Sequence, residues 1–217
     1  MNNYSIKISL LSDTTFGRGD GVAGWIDTEV EHDEYGLPFL RGRALKGLLA
    51  EECANTLFSL GSSANDWTET ADKLFGKGGS NFEDNSQIYV GNAVLPKDLR
   101  QAVKFAIEKK QFTADEVLKS LTTIRRQTAI EATGSPKENS LRSSRVVLRE
   151  TDFVSEIEFL ETPNPKMIAL LAASAKSLQR IGLGRNRGRG KVAVSFLEND
   201  QDCFEKFEKI LEAEETK

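Results

Sequence analysis

Apolar and polar positions alternate at the start of the chain. In "YSIKISLLSD" Ile6, Ile8 and Leu10 interleave with Ser5, Lys7 and Ser9, the period-two signature of a half-buried strand. The next segment, "TTFGRGDGVAG", holds four glycines and reads as a loop. "WIDTEVEHDEYGLPFLRG" reads as a short hairpin turning near 34–36. In "RALKGLLAEECANTLFSL" the period lengthens: Leu45, Leu48, Leu49, Cys53, Leu57 and Leu60 recur at helical spacing. A short helix over "TETADKLFG" follows, with its N-cap expected in "SSAND" and its stop at Gly76. "KGGSNFEDNS" reads as loop, and "QIYVGNAVLP" as a second strand ended by Pro96.

"KDLRQAVKFAIEKKQ" predicts a surface helix. "TADEVLKSLTTIRRQ" predicts another, opened by a capping box of Thr113 and Glu116. "TAIEATGSPKENSLRSSR" is polar and turn-rich, with no apolar period. "VVLRETDFVSEIEFLE" reads as one strand, and "NPKMIALLAASAKSLQRIG" as an apolar helix closed by Gly182. "GKVAVSFLEN" reads as a last strand, and "CFEKFEKILEAEETK" as a charged amphipathic tail helix. The order of long elements is strand, helix, strand, strand, helix, strand. It predicts an α+β fold, a ferredoxin-like βαββαβ frame, with a projecting insertion over about 97–145 and a smaller excursion over 66–85. No low-complexity linker divides residues 1–217, so one domain is expected.

Composition narrows the function. Apolar residues make up 39% and charged residues 29% of the 217, an ordinary globular balance. The single histidine, His32, and two distant cysteines, Cys53 and Cys203, exclude a histidine-rich metal site and the usual Ser-His-Asp triad. The N-terminus lacks a basic region and a cleavage site, and no apolar run nears the roughly 20 residues of a membrane span. A cytoplasmic protein with no membrane partner is expected.

The net charge is −4, yet the positive charge is gathered in places. "RIGLGRNRGRGKVAV" holds five cations, no acid and four glycines, Gly182, Gly184, Gly188 and Gly190. Its forked Arg185, Arg187 and Arg189, with Lys191, suit phosphates. The alternative is a solvated turn, and the lack of a Lys-Ser or Lys-Thr pair excludes a P-loop. Arg41, Arg43 and Lys46 surround the first helix N-terminus, where cations are disfavoured unless an anion intervenes. That makes a second phosphate candidate, balanced against three scattered surface charges. A third is the basic run with Arg125, Arg126, Lys137, Arg142, Arg145 and Arg149, balanced against an ordinary exposed loop. Asp13, Asp20, Asp27 and Asp33 flank the first glycine-rich loop. Carboxylates there suit a hard divalent cation or acid–base work, or are merely solvated. Asp27 stands out because it follows Trp25 and Ile26, and His32 is a candidate general base.

Three of these stretches together resemble the repeat-associated mysterious protein (RAMP) superfamily, specifically the backbone subunits of type III CRISPR effector complexes. "GLGRNRGRGKV" is similar to the family's glycine-rich loop between second helix and last strand. "GLPFLRGRALKGLLA" is similar to the start of its first helix, with Arg-Gly-Arg-Ala in place of the usual Pro-Gly-Ser-Ser. "QTAIEATGSPKENSLRSSRVV" is similar to its thumb hairpin, with a Thr-Gly-x-x-Lys core ending at Lys137. The resemblance spans about residues 4–197. It implies an RNA-recognition-motif-like palm with a thumb, polymerised along a CRISPR guide RNA, with Lys46 contacting the guide and the thumb wedged into the guide–target duplex. It implies as partners guide RNA, target RNA, copies of the chain or related RAMP subunits, and the large and small subunits of the complex. In cleaving members an Asp before the first helix cuts target RNA with a divalent metal. The matching position is Asp27, as catalytic residue and Mg2+ ligand, with Asp33 and Asp20 next. The resemblance also admits an inactive structural or end-capping subunit, and a standalone endoribonuclease that processes CRISPR precursor RNA. Apart from it, a ferredoxin-like domain whose basic turn serves only solvation remains open.

Overall fold

The structure is a computed structural model and describes residues 3–61, 65–77 and 86–215. Residues 62–64 of the stretch expected to hold the N-cap of the short helix, and most of the loop expected over 77–86, lie outside these. In chain order the elements are β1 (Tyr4–Leu10), α1 (Gly42–Leu60), α2 (Asn65–Phe75), β2 (Ile88–Val90), α3 (Lys97–Glu108), α4 (Ala114–Leu121), β3 (Thr122–Gln127), β4 (Arg142–Val147), β5 (Asp152–Phe159), α5 (Pro165–Ser177), β6 (Val192–Glu198), β7 (Gln201–Asp202) and α6 (Phe204–Glu215).

The main sheet is antiparallel, in the order β2-β5-β1-β6-β7. β1 lies at its centre because every second side chain, Tyr4, Ile6, Ile8 and Leu10, enters the core. Phe153 and Ile157 on β5, and Val192, Val194 and Phe196 on β6, bury the same face. Against it packs α5, whose residues Met167–Ala175 are all buried, as a helix apolar on every side must be. α5 touches α1, α2, α6 and β6. α1 adds Leu45, Leu49 and Cys53 to the core, and Leu48, Leu57 and Leu60 pack at its margin. Strands and long helices follow the expected order, β1-α1-β2-β5-α5-β6. Among the described residues no helix is long and apolar enough to cross a membrane.

The inserted segment departs from the sequence pattern in two places. The capping box forms, with Thr113 N–H donating to Glu116 Oε2 at 2.8 Å and Glu116 N–H donating to Thr113 Oγ1 at 3.3 Å. The helix it opens stops at Leu121, however, and Thr122–Gln127 is strand β3 rather than more helix. The β-branched run Thr122, Thr123, Ile124 favours a strand, and β4 supplies its hydrogen-bonded partner. The single strand expected over "VVLRETDFVSEIEFLE" is two. β4 begins at Arg142, inside the run read as polar and turn-rich, and ends at Val147 in the two-stranded sheet, whereas β5 starts at Asp152 in the main one. Between them Glu150 takes a left-handed φ of 68°, which alternation alone does not reveal. A third difference follows β5. α5 ends at Ser177, so Gly182 is not its cap but belongs to the next loop.

The β3–β4 hairpin is fastened to the main body by a buried ion pair. Arg145 Nε on β4 donates to Glu29 Oε1 at 2.7 Å, with side-chain exposures of 7% and 5%. A second nitrogen, Nη1, lies 3.3 Å from Thr122 Oγ1, and Glu29 Oε1 also accepts from Val30 N–H at 2.9 Å. Removing one partner strands the other charge away from water. Glu29→Ala is expected to cost about 3–5 kcal/mol of folding stability, read as a lower urea midpoint, whereas substituting both partners with apolar residues of similar volume should cost much less.

Candidate nucleic-acid interface

The segment after β1 is glycine-rich yet not free. Thr14 exchanges backbone hydrogen bonds with Val147 at 3.0 and 2.7 Å. Thr15 Oγ1 donates to the Arg145 carbonyl at 3.0 Å. Arg145 N–H donates to the Thr28 carbonyl at 2.9 Å, and Asp27 N–H to the Ser143 carbonyl at 3.0 Å. The loop therefore runs along the outer edge of β4 and satisfies backbone groups a hairpin edge would otherwise expose.

This clamp fixes Asp27. Its Oδ2 accepts from Ser143 N–H at 2.6 Å and lies 3.1 Å from Ser143 Oγ. The backbone bond from Ser143, then its hydroxyl, with help from the charge of Arg142, hold the exposed Asp27 carboxyl below its ordinary pKa. Asp27 lines an open hollow with Trp25, Arg126, Leu141 and Ser143. Trp25 and Arg126 also line the neighbouring hollow along β3, with Lys119, Arg125 and Arg145.

On its far side the hairpin base meets the glycine-rich loop after α5. Gly182, Gly184, Gly188 and Gly190 all have left-handed φ, at 75°, 76°, 77° and 74°. At Gly190 the requirement is double, since a side chain would also collide with the Ile181 carbonyl oxygen. The loop is tied to the end of β1 by Leu183 N–H to the Thr15 carbonyl at 2.9 Å and Gly190 N–H to the Asp13 carbonyl at 3.2 Å. Arg180 fastens it from within, donating from Nη1 to the carbonyls of Arg185 and Arg189 at 3.2 and 3.4 Å. Arg189 then lines one groove with Arg125, Arg126, Arg149, Asp13 and Glu150. Asp13 Oδ2 accepts from Arg125 Nε and Nη2 at 2.8 and 2.6 Å.

The arginine loop has an acidic neighbour that the sequence does not show. Arg185 pairs with Glu51 on α1 at 3.2 Å, and Glu51 and Glu52 line a hollow with Arg185 and Arg187. Among the described residues Arg187, Arg189 and Lys191 form no ion pair. The start of α1 is separate from the groove of Arg125 and Arg189. There Arg41 pairs with Glu31 at 2.8 Å, so the anion beside this helix end is the protein's own. Gly42 N–H donates to Asn92 Oδ1 at 2.8 Å, and Lys46 Nζ donates to Ser86 Oγ at 2.5 Å. Arg43 is exposed, as are Lys137 on the long connection between β3 and β4 and Arg142 at the start of β4. Arg142 Nη1 turns back to the Leu141 carbonyl at 3.1 Å.

The other acidic candidates are occupied. Asp20 takes both Arg18 Nε and Nη2, at 2.6 and 3.2 Å, and that pairing lowers its pKa. Asp33 Oδ1 accepts from Tyr35 and Leu37 N–H at 2.9 and 3.0 Å, the work of a turn residue. His32 Nδ1 lies 3.0 Å from the Asp33 carbonyl. Among the described residues no three histidine, cysteine or acidic side chains converge on a metal position. Asp27 offers one carboxylate, with Oδ2 already engaged by Ser143. Mg2+ takes one or two carboxylates and keeps several waters, so Asp27 would be the residue to hold such an ion.

Three residues central to this geometry carry no mark of their role in the sequence. Ser143 holds the Asp27 carboxylate, Glu29 neutralises Arg145, and Trp25 stands between two hollows. Arg145 is one of six cations in a basic run, and nothing in that run marks it as buried. A usable signal is its place two residues from Ser143 and Val147 in an alternating strand, which puts all three on one face.

Comparison with known proteins agrees with this architecture. A profile of the RAMP superfamily matches residues 7–193. A search of curated protein sequences returned no match. Among solved structures, a chain of the type III-B Cmr-beta complex bound to cognate target RNA superposes with a TM-score of 0.64 at 14% identity, covering 89% of this chain and 96% of that one. A chain of the same complex in its apo state gives 0.64 at 15% identity, covering 92% and 98%. The inserted hairpin and the glycine-rich loop both fall within the family match, and the chain belongs to the RAMP superfamily.

Proposed function

We propose that this chain is a guide-RNA-binding backbone subunit of a type III CRISPR ribonucleoprotein and that it cleaves guide-paired target RNA at Asp27. The observation that carries the proposal is the clamp between the Asp27 loop and β4. It sets an ionised carboxylate beside a hairpin whose base, with the glycine-rich loop, presents Arg125, Arg126, Arg149 and Arg189 to one groove. Family membership and the likeness to subunits of Cmr-beta support the same assignment.

In this reading the arginines hold phosphates and contribute no sequence preference, which base pairing with the guide supplies. The exposed Lys137 and Arg142 extend the basic surface along the thumb, and Lys46 and Arg43 meet the guide at the start of α1. Copies of the chain or related subunits continue the track, and the large and small subunits complete the complex. At the cut the ribose 2′-hydroxyl attacks the adjacent phosphorus, forming a 2′,3′-cyclic phosphate as the bond to the 5′-oxygen breaks, and the departing 5′-oxygen takes a proton from water to leave as a 5′-hydroxyl. Asp27 orients the attacking hydroxyl and accepts its proton, and Arg126 in the same hollow neutralises non-bridging oxygens. A divalent cation such as Mg2+, when bound, supplies further neutralisation of the developing charge. Ser143 keeps the Asp27 carboxylate in place and ionised.

Asp27→Ala in the assembled complex is expected to abolish target cleavage in magnesium while leaving guide and target binding intact. Undiminished cutting would move the chemistry away from Asp27. The lowered pKa makes a further prediction. Because the folded value lies below the ordinary one of about 3.9, the Ser143–Asp27 interaction stabilises the fold above that ordinary value and is lost as pH falls through the lowered one. Ser143→Ala removes the hydroxyl but keeps the backbone donor, so the Asp27 carboxyl titration followed by NMR should move up, toward the ordinary value. Finally, Arg187→Ala combined with Arg189→Ala should weaken guide binding and flatten its dependence on salt, by about 0.7 in log–log slope for each phosphate no longer neutralised. An unchanged slope would show that these arginines touch no phosphate.

A further inference from the structure

Trp25 is half exposed, at 50%, in a molecule that buries its other tryptophan, Trp67, to 2%. Its position is determined on several sides. The backbone turns tightly here: Val22 N–H donates to the Ile26 carbonyl at 2.7 Å and Trp25 N–H to the Val22 carbonyl at 3.0 Å, with Gly24 at a left-handed φ of 73°. Ser143 Oγ lies 2.9 Å from the Trp25 carbonyl. Arg145 places its guanidinium carbon 5.6 Å from the ring centroid, and Arg145 is itself locked by Glu29. The indole is therefore anchored without being buried. It borders both the hollow that holds Asp27 and the hollow lined by Arg125 and Arg126.

A rigid, half-exposed aromatic ring flanked by arginines has the chemistry of a base-stacking platform. Every nucleobase has a π face that an indole can cover, and guanidinium groups at either side meet the phosphates before and after that base. An apolar ring left in water next to a charged groove otherwise gains nothing from its exposure. We propose that Trp25 stacks on one unpaired RNA base and thereby fixes the phosphate next to it beside Asp27. The proposal rests on the RNA-binding assignment above and adds to it the residue that sets which nucleotide is presented. Trp25 acts through the base, not on the reacting atoms, so it is a positioning residue.

Two substitutions separate stacking from cover. Trp25→Tyr keeps a flat π face, whereas Trp25→Leu keeps an apolar cover over Arg145 and removes that face. Complexes are assembled with 5-bromouridine placed singly along the guide in one arm and along the target in the other, irradiated, and mapped by peptide mass spectrometry. The expected result is a crosslink to the peptide bearing Trp25 from a defined position in one strand, which identifies whether guide or target supplies the base. The crosslink should persist in Asp27→Ala. RNA affinity should fall about tenfold in Trp25→Leu, within the range found for one stacked base, and change little in Trp25→Tyr. Cleavage by Trp25→Leu should also spread to neighbouring phosphates. RNA binding and Asp27-dependent cleavage with no crosslink at Trp25, or equal behaviour of the Leu and Tyr variants, would overturn the stacking subsite alone. A complex that fails to bind RNA at all would overturn the assignment on which it rests as well.

Discussion

The buried pair between Arg145 and Glu29 is the constraint from which the candidate site follows. An arginine in a strand facing inward needs an anion, because an unpaired charge out of water is costly. Glu29 supplies it from a loop more than a hundred residues earlier in the chain. Once that loop is drawn to β4, Thr14, Thr15, Asp27 and Thr28 complete the hydrogen bonds of the strand edge. Asp27 is then set on Ser143 and Trp25 on Arg145. One ion pair thus joins the hairpin to the loop after β1 and orients both a carboxylate and an aromatic ring.

The charge distribution is consistent with this arrangement. Several cations are neutralised at home: Arg145 by Glu29, Arg41 by Glu31, Arg125 by Asp13 and Arg185 by Glu51. The exposed members of this group are worth little to stability, since water and salt screen them. They leave Arg126 and Arg189, unpaired among the described residues, to define the field around the hairpin base, and Arg187, likewise unpaired among them, on the far side of the glycine-rich loop. A chain of net charge −4 can present a local positive groove because fields near a surface depend on the nearest charges.

Much of the fold was legible because burial imposes a period. β1, α1 and β6 each bury one set of positions against a single core, and their side chains repeat at 2 or 3.6 residues accordingly, while α5 is buried all round and reads as an unbroken apolar run. The capping box at Thr113 was legible because it is local, closed within four residues. The β3 strand was not, since Thr122–Gln127 continues directly from a helix and takes its strand form from β4, fifteen residues on. The break between β4 and β5 was hidden for a similar reason. Val146 and Val147 run into the alternating pattern of β5, and only their pairing with a different sheet separates them.

For the site, the sequence alone identified the residue types and their order. It determined that glycines alternate with arginines after α5, that an aspartate follows Trp25 and Ile26, and that a basic segment interrupts the frame. Those features reside in composition and short spacing. Which charges are available was decided by the tertiary structure, because Glu51, Glu31, Glu29 and Asp13 reach their partners from remote parts of the chain. It also decided that Asp27 rests on Ser143 and that Asp20 and Asp33 are engaged elsewhere. The physical reason is that hydrogen bonds and ion pairs act over a few ångströms in space, whatever the separation along the chain. Hydrophobic periodicity is written into each element separately, but the partner of a buried charge is not.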